Sequence, residues 1–584
     1  MIKKVNNSLN RKRLYFLFFL FIAAFTLIVY KLVSIQYIYA SKYISSADYQ
    51  HTEEFPVSSC RGKILDRNGV ELALSLIEKT VYANPKLVLS PESEARALSE
   101  IIETDYNELL VKLEDRDLGF VYLKRQVGAE TADLISQLNL PGIFIQNENK
   151  RYYPQQDLAA SIVGFTGLDN VGLGGVELMQ EKTLRGVDGK YVIEKDVYGK
   201  IIPGKNNNYI APIDGSDVVL TIDSQIQYIA QKTLEKVVKD YDALRAIAVV
   251  MNPKNGEIYA MANYPGFNLE NYQDYDPSLY KNNAISYTYE PGSTFKIVNI
   301  SSSIDSGSIK PDQSFLLPPS IKVGDKIIRE IFRRSNITYT TGEIIKYSSN
   351  IGAVVSALSM GKQLFYDSVI KFGFGNVTGT GLPGEEPGLF ANYRDWSAST
   401  IGALAIGQSI SVTPLQLLRA ACVIANGGFL VQPRIIKELR MQNEIIQYPY
   451  NSAEDIQIID RETSGALRDM MLSCVEDGTG TRAQVEGVNV CGKTGTAQKA
   501  NQNGIGYSEG RVITSFLGFA PYEDPQVAII VMVDEPHGPE DEVWGGTVSA
   551  PVFSEIMNFS LRRLRIDTFD SADTADKSEV EESE

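Results

Sequence analysis

The second half of the sequence predicts an α+β domain with an antiparallel sheet flanked by helices. Two apolar runs, 246–251 and 257–262, are joined by Asn-Pro-Lys-Asn-Gly, which is typical of a hairpin. Two more runs, 515–520 and 527–533, flank Pro-Tyr-Glu-Asp-Pro and predict a second hairpin near the C-terminus. Because the part between them is helical in pattern, we expect the first and last segments of this half to share one sheet.

Shorter patterns supply the remaining elements of this half. The run 218–223 predicts a short strand, and 225–238 predicts a helix directly after it. After the second hairpin, Val552, Ile556 and Leu564 fall on one face of a terminal helix, with Phe559 or Ser560 between them. This helix closes the predicted domain at about residue 565.

The chain is longer than one hydrophobic core usually organises. Its 584 residues therefore predict at least two domains plus appendages. Residues 39–215 are mixed α/β in pattern, with turn signals at 66–69 and 172–175 and no repeat of fixed period. We divide the sequence into an N-terminal segment (1–13), an apolar anchor (14–38), this mixed segment (39–215), the α+β domain (216–565) and an acidic tail (566–584).

The apolar run predicts a single membrane-spanning helix. Residues 14–30 are apolar or aromatic apart from Thr26, and after Lys31 the apolar pattern continues to Ile38. Five basic residues precede it, which by the positive-inside rule places the N-terminus in the cytoplasm and the rest of the chain outside. A cleaved signal peptide is the alternative, but the run is long for one and no small-x-small cleavage site follows.

Charge and residue counts exclude several classes of function. The net charge is −16, and 567–584 alone holds eight acidic residues against Lys577, so we expect a disordered tail and no nucleic-acid partner. The chain has only two histidines and no CxxC pair, which argues against a zinc site and indicates no cofactor. We expect the four cysteines, at 60, 422, 474 and 491, to be free thiols, with a disulfide as the alternative.

A nucleophilic serine must therefore rely on a base other than histidine. Ser-x-x-Lys places a lysine on the same helix face as a serine, and the chain holds three such matches, at Ser278, Ser293 and Ser368. Only Ser293 follows Pro-Gly and precedes an apolar stretch, which predicts the start of a buried helix. We therefore select Ser293 with Lys296.

Two further motifs follow in order. Ser348-Ser349-Asn350 lies 55 residues after Ser293, and Lys493-Thr494-Gly495-Thr496 contains the only Lys-Thr-Gly in the chain, 145 residues later. The trio resembles the signature of penicillin-binding proteins and class A β-lactamases. Each motif alone is weak, but three in this order make coincidence improbable.

The residue types fit acyl transfer. Lys296 can act as a base only when neutral, which burial and a second cation such as Lys493 favour. Ser348 could pass the proton to the leaving amine, while Asn350 could hold a substrate amide. The hydroxyls of Thr494 and Thr496 suit a terminal carboxylate, with Lys493 adding positive charge. Gly495 would let substrate approach a strand edge, and the backbone N–H groups of Ser293 and Thr496 would form an oxyanion hole.

The resemblance extends over roughly residues 10 to 565. The chain is similar to class B penicillin-binding proteins, and most of all to the cell-division (FtsI-like) type. The matching runs are 61–69, 151–154, 174–177, 412–416, 492–498 and 534–536. Ser-Ser-Asn followed by Ile-Gly-Ala favours the division type over the elongation type. An elongation- or sporulation-type class B transpeptidase is the alternative.

This resemblance implies an elongated, non-catalytic, dimerisation-like pedestal at 39–215 and a penicillin-binding transpeptidase domain at 216–565. The implied enzyme is a peptidoglycan D,D-transpeptidase that cross-links stem peptides in the septal wall and is inhibited by β-lactams. It would be single-pass in the cytoplasmic membrane with its catalytic domain periplasmic, beside an FtsW-type glycan polymerase and other division proteins. The alternatives are a D,D-carboxypeptidase, against which the pedestal motifs argue, and a non-catalytic β-lactam sensor or septal scaffold.

Overall fold

The computed structural model describes residues 7–43, 52–194, 208–331, 334–441, 444–449, 455–501, 506–539 and 542–566. The predicted tail beyond Ile566 and the first six residues lie outside this range. Two compact units are present: one takes the chain up to Ser59 together with Gly186–Asp214, and the other takes Cys60–Arg185 with the chain from Gly215 onward.

The strands fall into three main sheets and three two-stranded pairs. In chain order they are β1 (Thr52–Val57), β2 (Ile64–Leu65), β3 (Glu71–Ala83), β4 (Val121–Val127), β5 (Ile143–Tyr152), β6 (Gly189–Glu194), β7 (Asn208–Ile210), β8 (Asp217–Leu220), β9 (Arg245–Met251), β10 (Ile258–Tyr264), β11 (Ser314–Leu317), β12 (Ser320–Val323), β13 (Lys326–Arg329), β14 (Ile337–Thr340), β15 (Phe429–Leu430), β16 (Ile436–Arg440), β17 (Ile445–Gln447), β18 (Ile456–Gln457), β19 (Cys491–Ala500), β20 (Tyr507–Ala520) and β21 (Val527–Asp534).

The α-helices range from single turns to a 27-residue N-terminal helix. They are α1 (Asn7–Val33), α2 (Pro91–Ile102), α3 (Tyr106–Glu114), α4 (Ala129–Gln137), α5 (Ala160–Val163), α6 (Gly175–Met179), α7 (Glu181–Leu184), α8 (Ser224–Asp240), α9 (Asn283–Ser286), α10 (Lys296–Asp305), α11 (Thr341–Lys346), α12 (Asn350–Met360), α13 (Lys362–Lys371), α14 (Thr400–Ala405), α15 (Pro414–Ala425), α16 (Arg461–Glu476) and α17 (Ala550–Arg563).

The first unit contains the apolar helix and a three-stranded antiparallel sheet of order β1-β6-β7. Helix α1 continues into a π-helical turn, Ser34–Ile38, and the stretch Arg11–Ile38 is long and apolar enough to cross a bilayer. Its 28 residues span about 42 Å at ~1.5 Å per residue. Within the described residues it is the only such helix, and it begins three residues before the predicted anchor.

The second unit is built around the antiparallel sheet β10-β9-β21-β20-β19. Both predicted hairpins are confirmed, and the second brings the C-terminal strands β20 and β21 beside β9. Side chains of β9 alternate between two cores: Ala248 and Val250 pack with α8 and α17, whereas Ile247 and Val249 join the core that contains α10 and α15. Strand β19 forms the open edge of this sheet.

The strand predicted at 218–223 belongs elsewhere. The strand that forms here, β8, pairs in parallel with β2 and antiparallel with β16. It therefore belongs to the second large sheet, β17-β16-β8-β2-β3-β4, in which β5 also pairs with β3. The expectation that the first strand of this half shares the sheet of the last strands was therefore wrong for β8 and holds from β9 onward. Residue 216 adjoins this sheet, so the border between pedestal and catalytic domain stays a prediction.

Three of the quoted motifs converge on one buried carboxylate. Glu177 is fully buried and accepts from Nε of Arg61 at 2.6 Å and from Nε of Arg151 at 2.7 Å. Arg61 also donates to the Glu177 carbonyl, and Glu181 adds a second carboxylate at 2.7 Å from Arg61. Such a cluster is costly to break, because the loss of one partner leaves charges buried and unpaired.

All four cysteines are free thiols. Cys422, Cys474 and Cys491 are buried and Cys60 is half-buried, so the disulfide alternative does not apply. Burial raises the pKa of the Cys422 and Cys491 thiols, which keeps both protonated at neutral pH.

We predict that Glu177→Gln lowers the free energy of unfolding by about 3 kcal/mol, because the buried Arg151 loses its carboxylate partner and Arg61 keeps only Glu181. Chemical denaturation of the full-length protein in detergent, followed by circular dichroism, would measure it. The matched control is Glu71→Gln, which removes an exposed ion pair with Lys63 and should cost under about 1 kcal/mol. Equal losses in the two variants would contradict the role given to the buried cluster.

Candidate active site

The turn that carries Ser293 is shaped by glycine. Residues Gly292–Phe295 form a 3₁₀ turn, and the α-helix α10 begins only at Lys296, three residues later than the predicted helix start. Gly292 has φ +58°, in the left-handed region, and its N–H donates to the Gly407 carbonyl at 3.1 Å. Residues i and i+3 eclipse in a 3₁₀ turn, so Ser293 and Lys296 lie on the same side of it.

The three Ser-x-x-Lys matches differ in the burial of their lysines. Lys296 has no exposed surface, whereas Lys281 and Lys371 are exposed to solvent. The Ser368 hydroxyl donates to the Leu364 carbonyl within its own helix, as an ordinary helical serine does. Only the match at Ser293 therefore has a lysine whose protonation the protein controls.

Lys296 is held entirely by neutral acceptors. Its Nζ donates to the Ser348 carbonyl at 2.6 Å, to Asn350 Oδ1 at 2.8 Å and to Ser348 Oγ at 3.3 Å. Within the described residues it forms no ion pair. Burial lowers the pKa of Lys296 well below its usual range, and the charge of Lys493 lowers it further, while Glu330 acts in the opposite direction.

Lys493 approaches the same hydroxyl from the sheet. It is fully buried on β19, and its Nζ donates to Ser348 Oγ at 2.9 Å and to the Thr494 carbonyl at 3.0 Å. Burial lowers the pKa of Lys493 as well. Ser348 therefore links the two lysines, and a proton can pass along this chain of three groups.

Ser348 adopts an uncommon backbone conformation. Its φ is +58°, in the left-handed region that costs an L-residue about 1 kcal/mol or more. The conformation turns the chain between α11 and α12, so that the carbonyl and hydroxyl of Ser348 both face Lys296. The next residue, Ser349, caps α12 by accepting from Gly352 N–H at 3.1 Å.

The Lys-Thr-Gly-Thr run lies on the open edge strand. The hydroxyl of Thr494 is 2.8 Å from that of Thr479, and the hydroxyl of Thr496 accepts from Gly545 N–H at 3.1 Å. A Cβ at Gly495 would meet Ser515 Oγ at 2.4 Å and Thr294 Cγ2 at 2.8 Å. Glycine is thus required here by packing against the serine turn, a reason beyond the substrate access expected from the sequence.

Ser293 lines two cavities; it is half-buried and, within the described part of the chain, has no hydrogen-bond partner for its hydroxyl. One holds about 640 Å³ and the other about 520 Å³, and both are lined by Ser293, Ile331, Thr496 and Trp544. The larger cavity adds Gln408, Gln498, Val512 and His537, and the smaller adds Glu330, Arg334, Thr479, Thr481, Arg482 and Thr494. Both cavities therefore give access to the same serine.

The structure brings all eight predicted site residues into this region and adds groups that the motifs do not reveal. Thr479 and Arg482 line the smaller cavity, and Glu330 reaches the Ser-Ser-Asn motif from 20 residues away in the sequence. The Thr-Gly-Thr-Arg run at 479–482 ends in a short 3₁₀ turn and is the one sequence signal that could have indicated a cavity wall. No local sequence pattern indicates that Glu330 belongs to the site.

Comparisons with known proteins show the family of this chain. The penicillin binding protein transpeptidase domain matches residues 246–558, and the penicillin-binding protein dimerisation domain matches residues 56–220. Stage V sporulation protein D of Bacillus subtilis is 35% identical over 571 residues, covering 96% of this chain and 87% of that protein. Peptidoglycan D,D-transpeptidase FtsI of Buchnera aphidicola is 33% identical, covering 94% of each.

A solved structure extends the agreement to the fold. Penicillin binding protein 3 of Mycobacterium tuberculosis, complexed with aztreonam, has a TM-score of 0.69 and 29% identity, covering 88% of this chain and 98% of that one. Family models, relatives and fold together define a serine-type acyltransferase that acts on peptidoglycan. The chain belongs to the class B penicillin-binding proteins and is an FtsI-like, single-pass peptidoglycan D,D-transpeptidase.

We predict that Gly407→Ala disturbs the serine turn. At φ +76° its Cβ would lie 2.1 Å from the Gly292 carbonyl oxygen, so the backbone must move. We expect a loss of roughly 3 kcal/mol in stability and a fall in the rate of penicillin acylation. Gly307→Ala is the control, because Gly307 has a similar φ of +71° with nothing within 4 Å of its Cβ; it should cost about 1 kcal/mol and leave acylation unchanged. Normal acylation in Gly407→Ala would contradict the positioning of Ser293 by this contact.

Proposed function

We propose that this enzyme works through an acyl-enzyme on Ser293 and acts in the septal wall during cell division. The observation that supports the chemistry best is the pair of fully buried lysines, Lys296 and Lys493, that share the Ser348 hydroxyl. Two cations this close disfavour each other's charge, which leaves a neutral amine available as a base near neutral pH.

In the first half-reaction neutral Lys296 takes the proton of the Ser293 hydroxyl. Ser293 Oγ attacks the carbonyl carbon of the penultimate D-Ala, and the oxygen that becomes negative is stabilised by the N–H groups of Ser293 and Thr496. The C–N bond to the terminal D-Ala then breaks, and the proton passes through Ser348 to its departing amine. An ester between Ser293 and the donor peptide remains.

In the second half-reaction an amine from a neighbouring strand attacks this ester. Its proton returns along the same groups to Ser293 Oγ, the C–O bond breaks, and a new peptide bond cross-links the strands. Before the terminal D-Ala leaves, its carboxylate suits the hydroxyls of Thr494 and Thr496, of which that of Thr494 is 3.4 Å from Lys493 Nζ, while Asn350 holds the donor amide through its side chain. A β-lactam enters the same path, but its amine leaving group stays attached.

The proposed cellular setting is supported by the middle motif, the relatives and the charges before the apolar helix. The Ser348-Ser349-Asn350 motif with Ile-Gly-Ala after it, and relatives named FtsI such as that of Buchnera aphidicola, favour the septal role. With basic residues before the apolar helix, the N-terminus lies in the cytoplasm and the catalytic domain in the periplasm. The pedestal at 39–215 carries no site motif, so we assign it to partners, among them an FtsW-type glycan polymerase.

Sporulation is the second candidate role. The 35% identity to a stage V sporulation protein over 96% of this chain favours it specifically. The chemistry would be the same in both roles, and only the stage of the cell cycle differs.

We predict that a fluorescent penicillin labels the full-length protein covalently and that Ser293→Ala abolishes the label. Ser278→Ala, at an exposed serine with the same Ser-x-x-Lys spacing, is the matched control and should be labelled at the wild-type rate. Labelling would be followed by gel fluorescence, with melting temperatures to show that both variants fold. Wild-type labelling of Ser293→Ala, or none of the wild type, would sink the assignment.

The septal role is tested in the native host. Depletion should block septation, and wild-type protein, but not Ser293→Ala, should restore it, as seen by the division rate and by labelling of new wall at the septum. Full rescue by Ser293→Ala would identify a scaffold instead. Normal septation with failed spore formation on depletion would identify the sporulation role.

A further inference from the structure

A single carboxylate holds the middle motif from outside it. Glu330 follows β13 directly, and its two oxygens accept from three successive residues: Ser349 Oγ at 2.5 Å, Asn350 N–H at 2.8 Å and Ile351 N–H at 3.3 Å. These groups form the first turn of α12, where a negative charge is favourable. Only 9% of the Glu330 side chain is accessible, so its hydrogen bonds are little weakened by solvent.

The residue before it orients Asn350. The Arg329 carbonyl accepts from Asn350 Nδ2 at 3.1 Å, which leaves Asn350 Oδ1 directed at Lys296 Nζ, 2.8 Å away. The pair Arg329 and Glu330 therefore decides which atom of the Asn350 amide meets the lysine. It also braces the residues next to Ser348, whose left-handed backbone persists only if its surroundings hold it.

We propose that Glu330 is a positioning residue for acyl transfer: it holds Asn350 and the residues next to Ser348 in place against Lys296, and it supplies the negative charge that offsets the charge of this buried lysine. This inference rests on the proposed function, because it assigns Glu330 to the base of that reaction. Among the described residues Glu330 has no hydrogen bond to Ser293 and no ion pair with a lysine, so it acts through the motif and through its charge.

Charged and neutral groups from three elements surround Lys296. Its own turn carries the neutral Ser293, the middle motif carries the neutral Ser348 and Asn350, and β19 carries the cation Lys493. Cys474 on α16 acts on Lys493, and Arg334 forms an ion pair with Glu330 at 2.5 Å. Glu330 is the acidic group whose charge reaches Lys296, and it raises the pKa that burial and Lys493 lower.

Glu330 itself stays ionised through the working range. Burial would raise the pKa of its carboxyl, but the hydrogen bonds from Ser349 and Asn350 and the ion pair with Arg334 outweigh burial, so the net shift is downward. Its charge therefore acts on Lys296 at every pH at which the enzyme works.

Removing the Glu330 charge disfavours protonated Lys296, so the pKa of this lysine falls. The acid limb of the pH–rate profile, where the acylation rate rises as Lys296 loses its proton, therefore moves to lower pH. In Glu330→Gln we expect a shift of about one pH unit and a plateau rate reduced roughly 10- to 100-fold, because the motif is misplaced. Glu330→Asp keeps the charge, so its limb should stay in place while its plateau falls.

The experiment measures the second-order rate of acylation by a chromogenic penicillin from pH 5.5 to 10, on the full-length protein in detergent. Glu343→Gln is the matched control, because Glu343 caps the neighbouring helix α11 through Thr340 N–H at 2.8 Å and should leave limb and plateau unchanged. A lower plateau in Glu330→Gln with an unmoved limb would reduce Glu330 to a structural cap, and a wild-type profile would overturn the proposal entirely.

Two safeguards keep the outcomes separate. If the wild type is not labelled at Ser293, the proposed function itself fails, and the proposal for Glu330 fails with it. If Glu330→Gln melts too early to assay, Glu330→Asp decides: a reduced plateau with an unmoved limb supports the proposal, and a wild-type plateau overturns it.

Discussion

Two ammonium groups buried beside one hydroxyl are the constraint on which the rest of this enzyme depends. Lys296 and Lys493 have no exposed surface, and both donate to Ser348 Oγ. Water is excluded and no carboxylate touches either group in the described chain, so the protein must favour a neutral amine or lose stability. The same arrangement that is unfavourable for folding provides a base for a serine in a chain that has only two histidines.

The architecture can be understood as the means of holding these lysines. Lys493 belongs to the edge strand β19, and Lys296 to a helix packed in the core beneath the sheet, so the central sheet and helix core set their separation. The middle motif enters between them on a left-handed turn that Glu330 braces from the end of β13. In the pedestal a different solution appears, because there the buried arginines have a carboxylate, Glu177, as an immediate partner.

Much of this was predictable, and the failures have physical reasons. The hairpins could be predicted because short turns with Pro, Asn and Gly mark them locally. Ser293 could be selected among the three Ser-x-x-Lys matches because its apolar neighbours predict burial of Lys296. The partner of β8 could not be predicted, since it pairs with a strand more than 150 residues earlier. Glu330 and the left-handed Ser348 were missed for the same reason: a carboxylate in a polar stretch and a serine before a helix have many ordinary explanations until the fold joins them.

The contacts between glycine backbones around Ser293 bear on drug resistance. Gly292 lies against Gly407 and Gly495 against Gly545, with Cβ positions that would overlap backbone oxygens at Gly407 and Gly545. At these points the chain has no side chain to exchange and no room to add one. On the proposed function, we therefore expect substitutions that weaken acylation by a β-lactam at cavity-wall residues such as Thr479, Arg482 or Gln408 rather than at these glycines. An inhibitor that contacts only the glycine-lined centre would leave few tolerated substitutions.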